Sequence, residues 1–454
     1  MKLENVLFLF GCAGTTLSLT TQEIVKEMGL GWNLGNTLEA CGEWINGSTT
    51  KQYETAWGNP VTTEEIILGV KSYGFNTIRV PVAWSNLMSD NYTISPLLLA
   101  RVEEVVNYIV KNDMYAIVNI HWDMGWFEKF ATDEEEAFKK YTRVWEQITY
   151  KFKDFNEHLV LESLNEEGCW NDIWNRWSNA GEKEKAYNTL NKINQKFVDI
   201  VRQSGGNNEK RHLLLAGYCT DIDLTIEEEF VVPKDDRVMV SVHYYTPSTF
   251  TLLEEDADWG KATPTWGTDQ ELKNLISDFK KVKKHFVDKG IPIIVGEYGT
   301  ATTNKEPESV LRWLKEVAKV TTSYGMVPCL WDAGQYFDRR KLIFIKPEVG
   351  ELFKQLSSAL KKSRENDKCW SEPNYPCCIY TCSMILDDGF KWASENGEWC
   401  GIPSYCDSLK EIKDLCPGFP DYPCCPTCDV FLTEEDGTRW GVLNNNWCGI
   451  KNSC

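Results

Sequence analysis

The sequence predicts an α/β protein, a (β/α)8 TIM barrel followed by two small disulfide-rich modules. Three observations carry this. Eight short apolar runs alternate with amphipathic segments between about residues 29 and 360. Neither a G-x-G-x-x-G nor a P-loop follows any run, which disfavours the runner-up, an open doubly wound sheet. Twelve of the 17 cysteines lie at or after Cys369.

The runs are 30–34, 77–82, 115–120, 159–164, 212–217, 238–242, 291–295 and 327–331. They are continuous and rich in Val, Ile and Leu, as strands covered on both faces are. The segment Thr62-Thr63-Glu64-Glu65-Ile66 opens a helix with a cap-like Thr and an acidic turn. Segment 97–111 places Leu98, Val102, Val105, Val106 and Ile109 on one stripe. Segments 138–152, 188–201, 271–286 and 309–320 behave similarly, and 351–362 closes the barrel. Loops after the first and sixth runs hold Trp44, Tyr53 and Trp57, and Phe250, Trp259 and Trp266. On the active-site face these rings would either line a groove for sugars or pin their loops.

With 454 residues, 42% of them apolar, the chain suffices for one large domain and something smaller. A net charge of -19 argues against nucleic acid, whose binding rests on Lys and Arg, and against an anionic membrane surface. No apolar run reaches the roughly 18 residues of a transmembrane helix. Lys2, an apolar stretch from Val6 to Phe10 and the small residues Gly11-Cys12-Ala13-Gly14 read as a secretory signal over 1–19. The sequons Asn46-Gly47-Ser48 and Asn91-Tyr92-Thr93 fit a secreted, extracellular protein.

The expected order is barrel 20–362, connector 363–368, module 369–406, connector 407–415 and module 416–454. The tail repeats itself. Cys369, Cys377 and Cys378 recur 47 residues later as Cys416, Cys424 and Cys425. Tyr375-Pro376 recurs as Tyr422-Pro423, Trp392 as Trp440, and Trp399-Cys400-Gly401-Ile402 as Trp447-Cys448-Gly449-Ile450. Modules this small depend on crosslinks and hence on an oxidising compartment. The other five cysteines, Cys12, Cys41, Cys169, Cys219 and Cys329, show no pattern.

Two runs end abruptly in a carboxylate: 159–164 leads into Asn165-Glu166, and 291–295 into Gly296-Glu297. Strands of one barrel would bring both to one rim. Cleaving a glycosidic bond needs one protonated carboxyl and one ionised carboxylate; about 5–5.5 Å between them permits direct attack with retention. Arg79 lies within an apolar strand and wants a buried carboxylate, with Glu297 the natural candidate. His121, His243, Tyr245 and Trp331 fall at other strand ends. A lone Glu there is ordinarily a solvated rim residue; six coincidences at one end are hard to reach by chance. Glu162 and Glu167 compete with Glu166 for the acid role, and Asn165 favours Glu166. Without H-E-x-x-H and with dispersed histidines, no metal or cofactor is expected.

Gly31-Trp32-Asn33-Leu34-Gly35-Asn36, Glu54-Thr55-Ala56-Trp57-Gly58-Asn59-Pro60, Leu164-Asn165-Glu166 and Val295-Gly296-Glu297-Tyr298-Gly299 resemble glycoside hydrolase family 5, in its rumen and clostridial endoglucanase branch. The resemblance implies a retaining endo-β-1,4-glucanase acting on plant cell wall β-glucan, with Glu166 as acid/base and Glu297 as nucleophile. It also implies a sugar subsite of Asn36, Arg79, His121, Asn165, His243, Tyr245 and Trp331. Many relatives carry a second His where this chain has Trp122. The branch also includes xyloglucanases, xylanases and mixed-linkage glucanases. The tail resembles the dockerins of anaerobic gut fungi, themselves similar to a small cellulose-binding module. That implies a scaffold protein or glycoprotein as partner, contacted by Tyr375, Asp388, Trp392, Tyr422, Asp436 and Trp440. Trp399 and Trp447, beside cysteines, are expected in the small cores. The rival from another class is a catalytically silent carbohydrate-binding barrel with an adhesion tail.

Overall fold

The computed structural model describes residues 19–45, 47–178, 180–365, 369–387, 389–409, 425, 429–434, 438–443 and 446–450. Eight parallel strands close into a barrel: β1 (Leu30–Leu34), β2 (Phe75–Val80), β3 (Tyr115–Asn119), β4 (Leu159–Glu162), β5 (Leu213–Ala216), β6 (Val238–Tyr244), β7 (Ile293–Tyr298) and β8 (Val327–Asp332). Every apolar run became a strand. β6 and β7 outlast their apolar residues, so His243 and Glu297 are ladder partners rather than residues beyond the strand ends.

The barrel interior changes character along its axis. Toward the N-terminal end it is apolar, with Ile117, Val160, Leu214, Met239, Ile294 and Cys329 packed together. Gly31 is required there, since a Cβ would sit 2.4 Å from Cys329 Sγ. Ile24, Val25 and Met28 of the helix Thr21–Met28 plug this end. The helix was not among the segments read from sequence, although Thr20 and Glu23 form its capping box. Toward the C-terminal end the inward positions turn polar.

Among the described residues, seven helices of eight residues or more surround the strands: Glu64–Lys71, Pro96–Val110, Glu134–Phe152, Lys183–Gln203, Asp269–His285, Pro307–Ser323 and Pro347–Glu365. Most begin before their first apolar residue, because caps and acidic turns precede the stripe. The last keeps residues 363–365 helical, where a connector was expected. β5 and β6 are joined by one helical turn, Ile222–Thr225. Cys169 and Cys219, which showed no pattern in sequence, form a disulfide joining the loops after β4 and β5.

Each tail module carries a three-stranded antiparallel sheet. The first uses Leu386–Asp387, Lys391–Glu395 and Glu398–Gly401; the second uses Leu432–Thr433, Arg439–Leu443 and Asn446–Gly449. The register repeats, Trp392 opposite Gly401 and Trp440 opposite Gly449. Cys378–Cys400, Cys382–Cys406 and Cys425–Cys448 close within their own modules. Cys369 and Cys377 are thiols. Cys416, Cys424, Cys428 and Cys454 lie outside the described residues, as do Asp388, Tyr422, Asp436 and residues 1–18 of the expected signal.

The first module rests on the barrel's N-terminal floor. Tyr380 shares a 2.5 Å hydrogen bond with Thr322 Oγ1, and Glu398 pairs with Lys280 at 3.1 Å. A cavity of about 350 Å³ between them is lined by Val25, Pro292, Met326 and Leu360 below and Pro376 and Ile379 above.

Met28 is wholly buried in the plug. Met28→Ala should destabilise the barrel by about 2–5 kcal/mol in urea unfolding followed by tryptophan fluorescence. A loss below about 1 kcal/mol would mean that the floor does not depend on this helix.

Candidate active site

The site begins with a cation placed where a barrel interior is normally apolar. Arg79 on β2 is fully buried. Its Nε donates to Glu162 at 2.7 Å, Nη1 to Asn33 at 3.0 Å and Glu297 at 2.8 Å, and Nη2 to Asn165 at 2.9 Å. The partners come from β4, β1, β7 and the loop after β4, so one side chain fixes four segments. The expected pair with Glu297 forms, but Glu162 shares the charge. Glu162 also accepts from Ser241 at 3.0 Å and is wholly buried, which removes it as a rival acid.

Glu297 takes a second hydrogen bond, from the Tyr245 hydroxyl at 2.9 Å. Glu166 reaches His243 Nδ1 at 2.7 Å. One oxygen of Glu166, one of Glu297 and His243 Nδ1 all lie within 4.8 Å of one another. Gly296 makes this packing fit, since a Cβ there would lie 3.0 Å from His243 Nε2. These three side chains are also the one donor set in the barrel, among the described residues, close enough to hold a cation. Arg79 already supplies Glu297 with positive charge, which opposes that use.

Burial raises the Glu166 carboxyl above its ordinary value, partly offset by Arg79, although 49% of its side-chain surface stays open to the cleft. Glu297 is raised by burial; His243 and Arg79 oppose this, and the Glu166 charge adds to it. Glu167 is pushed up to about 8 by burial, then by Glu128 and Glu166, so its surroundings lie partly with the loop after β3. His243 falls to about 4, chiefly through burial, and His121 falls well below its ordinary value through burial, Arg79 and His243. Both imidazoles are therefore neutral near pH 7, able to give or accept a hydrogen bond without adding charge.

His121 stacks on Trp331, with ring centroids 5.6 Å apart and planes 6° apart, so the two form one wall. Asn36 has a left-handed φ of 54° and sits in a loop after β1 that Glu39 ties through the backbone N–H groups of Asn36 and Thr37. Asn59 donates to the Asn36 carbonyl at 3.0 Å and to that of Ala333 at 3.0 Å. Glu54 pairs with Arg101 at 2.8 Å and accepts from Thr62 N–H at 2.7 Å. These motif residues build the rim rather than the reacting centre. Of the loop aromatics, Phe250 and Trp266 are buried and pin their loop, whereas Trp44 and Trp259 are exposed. Trp122 and Trp177, on the loops after β3 and β4, are exposed on the same end and were not singled out as groove residues.

In the tail, Trp392 packs edge-on to Trp370 at 4.5 Å and to Tyr375 at 5.0 Å. Trp399 and Trp447 are not core residues: they keep 45% and 39% of their surface. Strand alternation turns Cys400 and Cys448 inward and their neighbours outward. Trp399 thus shares the outer face of its sheet with Trp392 and Leu386, and Trp447 shares the corresponding face with Trp440 and Leu432.

A (β/α)8 barrel with two adjoining carboxylates, a buried arginine and neutral imidazoles at the C-terminal strand ends is the framework of a glycoside hydrolase. Residues 38–337 match the cellulase family, glycosyl hydrolase family 5, and residues 368–402 and 416–450 each match a cellulose or protein binding domain. The chain belongs to glycosyl hydrolase family 5. It is 34% identical over 444 residues to Endoglucanase B of Neocallimastix patriciarum, covering 90% of each chain. It is 35% identical to Endoglucanase B of Clostridium cellulovorans, over 74% of this chain and 75% of that one. A solved broad-specificity endoglucanase from an uncultured bovine rumen ciliate superposes with a TM-score of 0.69 at 34% identity, covering 75% of this chain and 99% of that one.

The two carboxyls should titrate as a coupled pair above the ordinary value of 4.5. Carbon-13 NMR of the labelled glutamates should show Glu166 losing its proton above that value, and its midpoint should fall in Glu297→Gln, where the neighbouring charge is gone. A midpoint that does not move would show the two groups to be independent.

Proposed function

We propose that Glu297 is the nucleophile and Glu166 the acid/base of a double displacement with retention. The single observation that carries this is the separation: with oxygens within 4.8 Å of each other, the two carboxyls fall with the short spacing of about 5–5.5 Å that suits direct attack, not the wider one of about 6.5–9.5 Å that inversion uses. Glu297 is the better nucleophile because Arg79 and Tyr245 hold it in one orientation within a strand. Glu166 is the better acid because it opens to the cleft and has no cationic hydrogen-bond partner. Glu166 gives its proton to the leaving oxygen while Glu297 bonds to the anomeric carbon. Glu166 then takes a proton from water as the water oxygen bonds to the anomeric carbon, which breaks the bond to Glu297, restores its carboxylate and releases the sugar. Arg79, His121, Asn165, His243, Tyr245 and Trp331 surround the sugar at the reacting position, with Asn36 at the edge.

The enzyme is an endo-β-1,4-glucanase. Family membership and the endoglucanases that share up to nine-tenths of its length support this. Exposed Trp44, Trp122, Trp177 and Trp259 on four loops of the catalytic end give flat surfaces for a chain of sugars rather than a pocket for one.

Proton NMR of fresh product from a cello-oligosaccharide should show the β-anomer first; an α-anomer first would exclude double displacement. Glu297→Ala should abolish turnover with the fold intact. Glu166→Ala should lose about 10²–10⁴-fold on glucan and much less on substrates with a good leaving group. Wild-type behaviour of Glu166→Ala on glucan would pass the acid role to Glu167.

We propose further that the protein is secreted and that its tail is a pair of dockerins holding it on a scaffold protein. Four disulfides among the described residues support an oxidising destination. Two like modules with matching outer aromatic faces support binding in tandem, which raises avidity through effective concentration. The matched domain class includes cellulose binders, so cellulose is the competing partner. Residues 369–454, expressed in an oxidising host, should be retained by large cellulase complexes. That retention should fail in Trp392→Ala/Trp440→Ala and weaken in Trp399→Ala/Trp447→Ala. Retention by microcrystalline cellulose with none by the complexes would make the tail a substrate-targeting unit.

A further inference from the structure

We infer that the Cys169–Cys219 disulfide is a positioning device for Glu166, giving the proton donor the fixed placement that the nucleophile receives from its strand. This rests on the assignment of Glu166 as the acid. The two carboxylates are held very differently. Glu297 lies inside β7 and is paired with His243 in the ladder. The β4 ladder ends at Glu162, and Glu166 lies four residues beyond it, in the loop that runs to the helix Lys183–Gln203. That loop also carries the small hairpin of Trp174–Asn175 and Ala180–Gly181, with exposed Trp177 at its tip. A loop of this length with an exposed tip does not by itself hold a side chain to the few tenths of an ångström that proton transfer requires.

Just after Glu166 the loop is tied to the turn after β5 by three bonds within three residues. Cys219 N–H donates to the Glu167 carbonyl at 2.9 Å. The Tyr218 hydroxyl donates to the Gly168 carbonyl at 2.5 Å. Cys169 and Cys219 are covalently joined, with Cα atoms 5.8 Å apart. Gly168 lets the two backbones meet: its φ is 134°, and a Cβ would lie 3.2 Å from Cys219 N. On the other side, Cys219 and Thr220 both have left-handed backbones, with φ of 50° and 47°. Non-glycine residues hold such conformations where the surroundings impose them. Tyr218 is fixed in turn by stacking on Tyr187 at 4.0 Å. The bridge therefore anchors the loop to a rigid part of the barrel three residues from Glu166. Upstream the Ser163 backbone N–H bonds Leu214 at 2.9 Å, so the acid sits on a short span fixed at both ends.

A merely structural bridge and a positioning bridge differ in one readout. Loss of acid placement harms substrates with poor leaving groups and spares those that need no protonation; general destabilisation harms both alike. The test compares full-length wild type, Cys169→Ser/Cys219→Ser, Tyr218→Phe and Glu166→Ala. For each, kcat/KM, which reports bond cleavage, is measured on cellotetraose and on 2,4-dinitrophenyl β-cellobioside. The serine pair should lose on the order of ten- to a hundredfold on cellotetraose. It should stay within about threefold of wild type on the activated substrate. Tyr218→Phe, which keeps the bridge, should show the same selectivity at smaller size, and it decides the matter if the serine pair does not fold. Equal losses on both substrates, or none on either, would overturn the inference, provided Glu166→Ala keeps its selective loss. An unselective Glu166→Ala would instead overturn the acid assignment itself.

Discussion

The catalytic end of the barrel depends on one desolvated guanidinium. A buried cation costs several kcal/mol unless its partners are ionised and well placed, and removing one partner of such a group costs about 3–5 kcal/mol. Arg79 meets that condition with two carboxylates and two amide oxygens. Three of the four partners are tied in turn: Asn33 donates to the Gly296 carbonyl at 2.9 Å, Glu162 accepts from Ser241, and Glu297 accepts from Tyr245. The result is a closed polar layer on an apolar one, and networks of this kind hold a single geometry because any other leaves a charge unpaired. Catalytic orientation and barrel closure are thus the same interaction.

This layer explains why two carboxylates at one site can differ. Glu297 belongs to the network and is oriented by it. Glu166 stands outside it, bonded to a neutral imidazole and open to solvent. Burial raises both carboxyls, Arg79 opposes this at each, and only Glu297 is held by hydrogen bonds from Arg79 and Tyr245. The proposed division of labour rests on this difference in partners, one glutamate inside the arginine network and the other outside it.

Much of this was legible in the chain because buried strands write themselves as continuous apolar runs, and an apolar run that stops in a carboxylate marks a strand end. Arg79, Glu166 and Glu297 stood out for that reason. Glu162 stood as a rival to Glu166 because alternation gives the face of a strand and not the depth along the barrel; one layer lower, the same face is sealed. The Cys169–Cys219 bridge joins residues 50 apart, and nothing local marks it. Only the adjacency of the loops after β4 and β5, a property of the closed sheet, brings them together. Trp399 and Trp447 were misplaced for the opposite reason. The signal was present, since a residue beside an inward cysteine in a strand must point outward, but closeness to a cysteine was taken as closeness to the core. The plug helix was short, and its Thr20–Glu23 capping box alone marked its start.

The tail joins the barrel at the end where substrate is not handled. Tyr380, Ile379 and Glu398 meet the floor, around Thr322, Met326 and Lys280, while Glu166 and Glu297 lie at the opposite pole. Glu395 accepts from the backbone N–H groups of Ile379, Tyr380 and Thr381, which keeps the contacting segment in shape. A module held this way turns its Ile379–Tyr380 segment and Glu398 to the barrel. Trp392 and Trp399 share one face of its sheet, Trp392 packed by Trp370 and Tyr375 and Trp399 exposed. A partner engaged there, as proposed, would approach from the floor side of the barrel rather than from its catalytic end. The proposed attachment and hydrolysis would then use different surfaces, a separation that comes from placing polar chemistry at one end of the barrel and an apolar plug at the other.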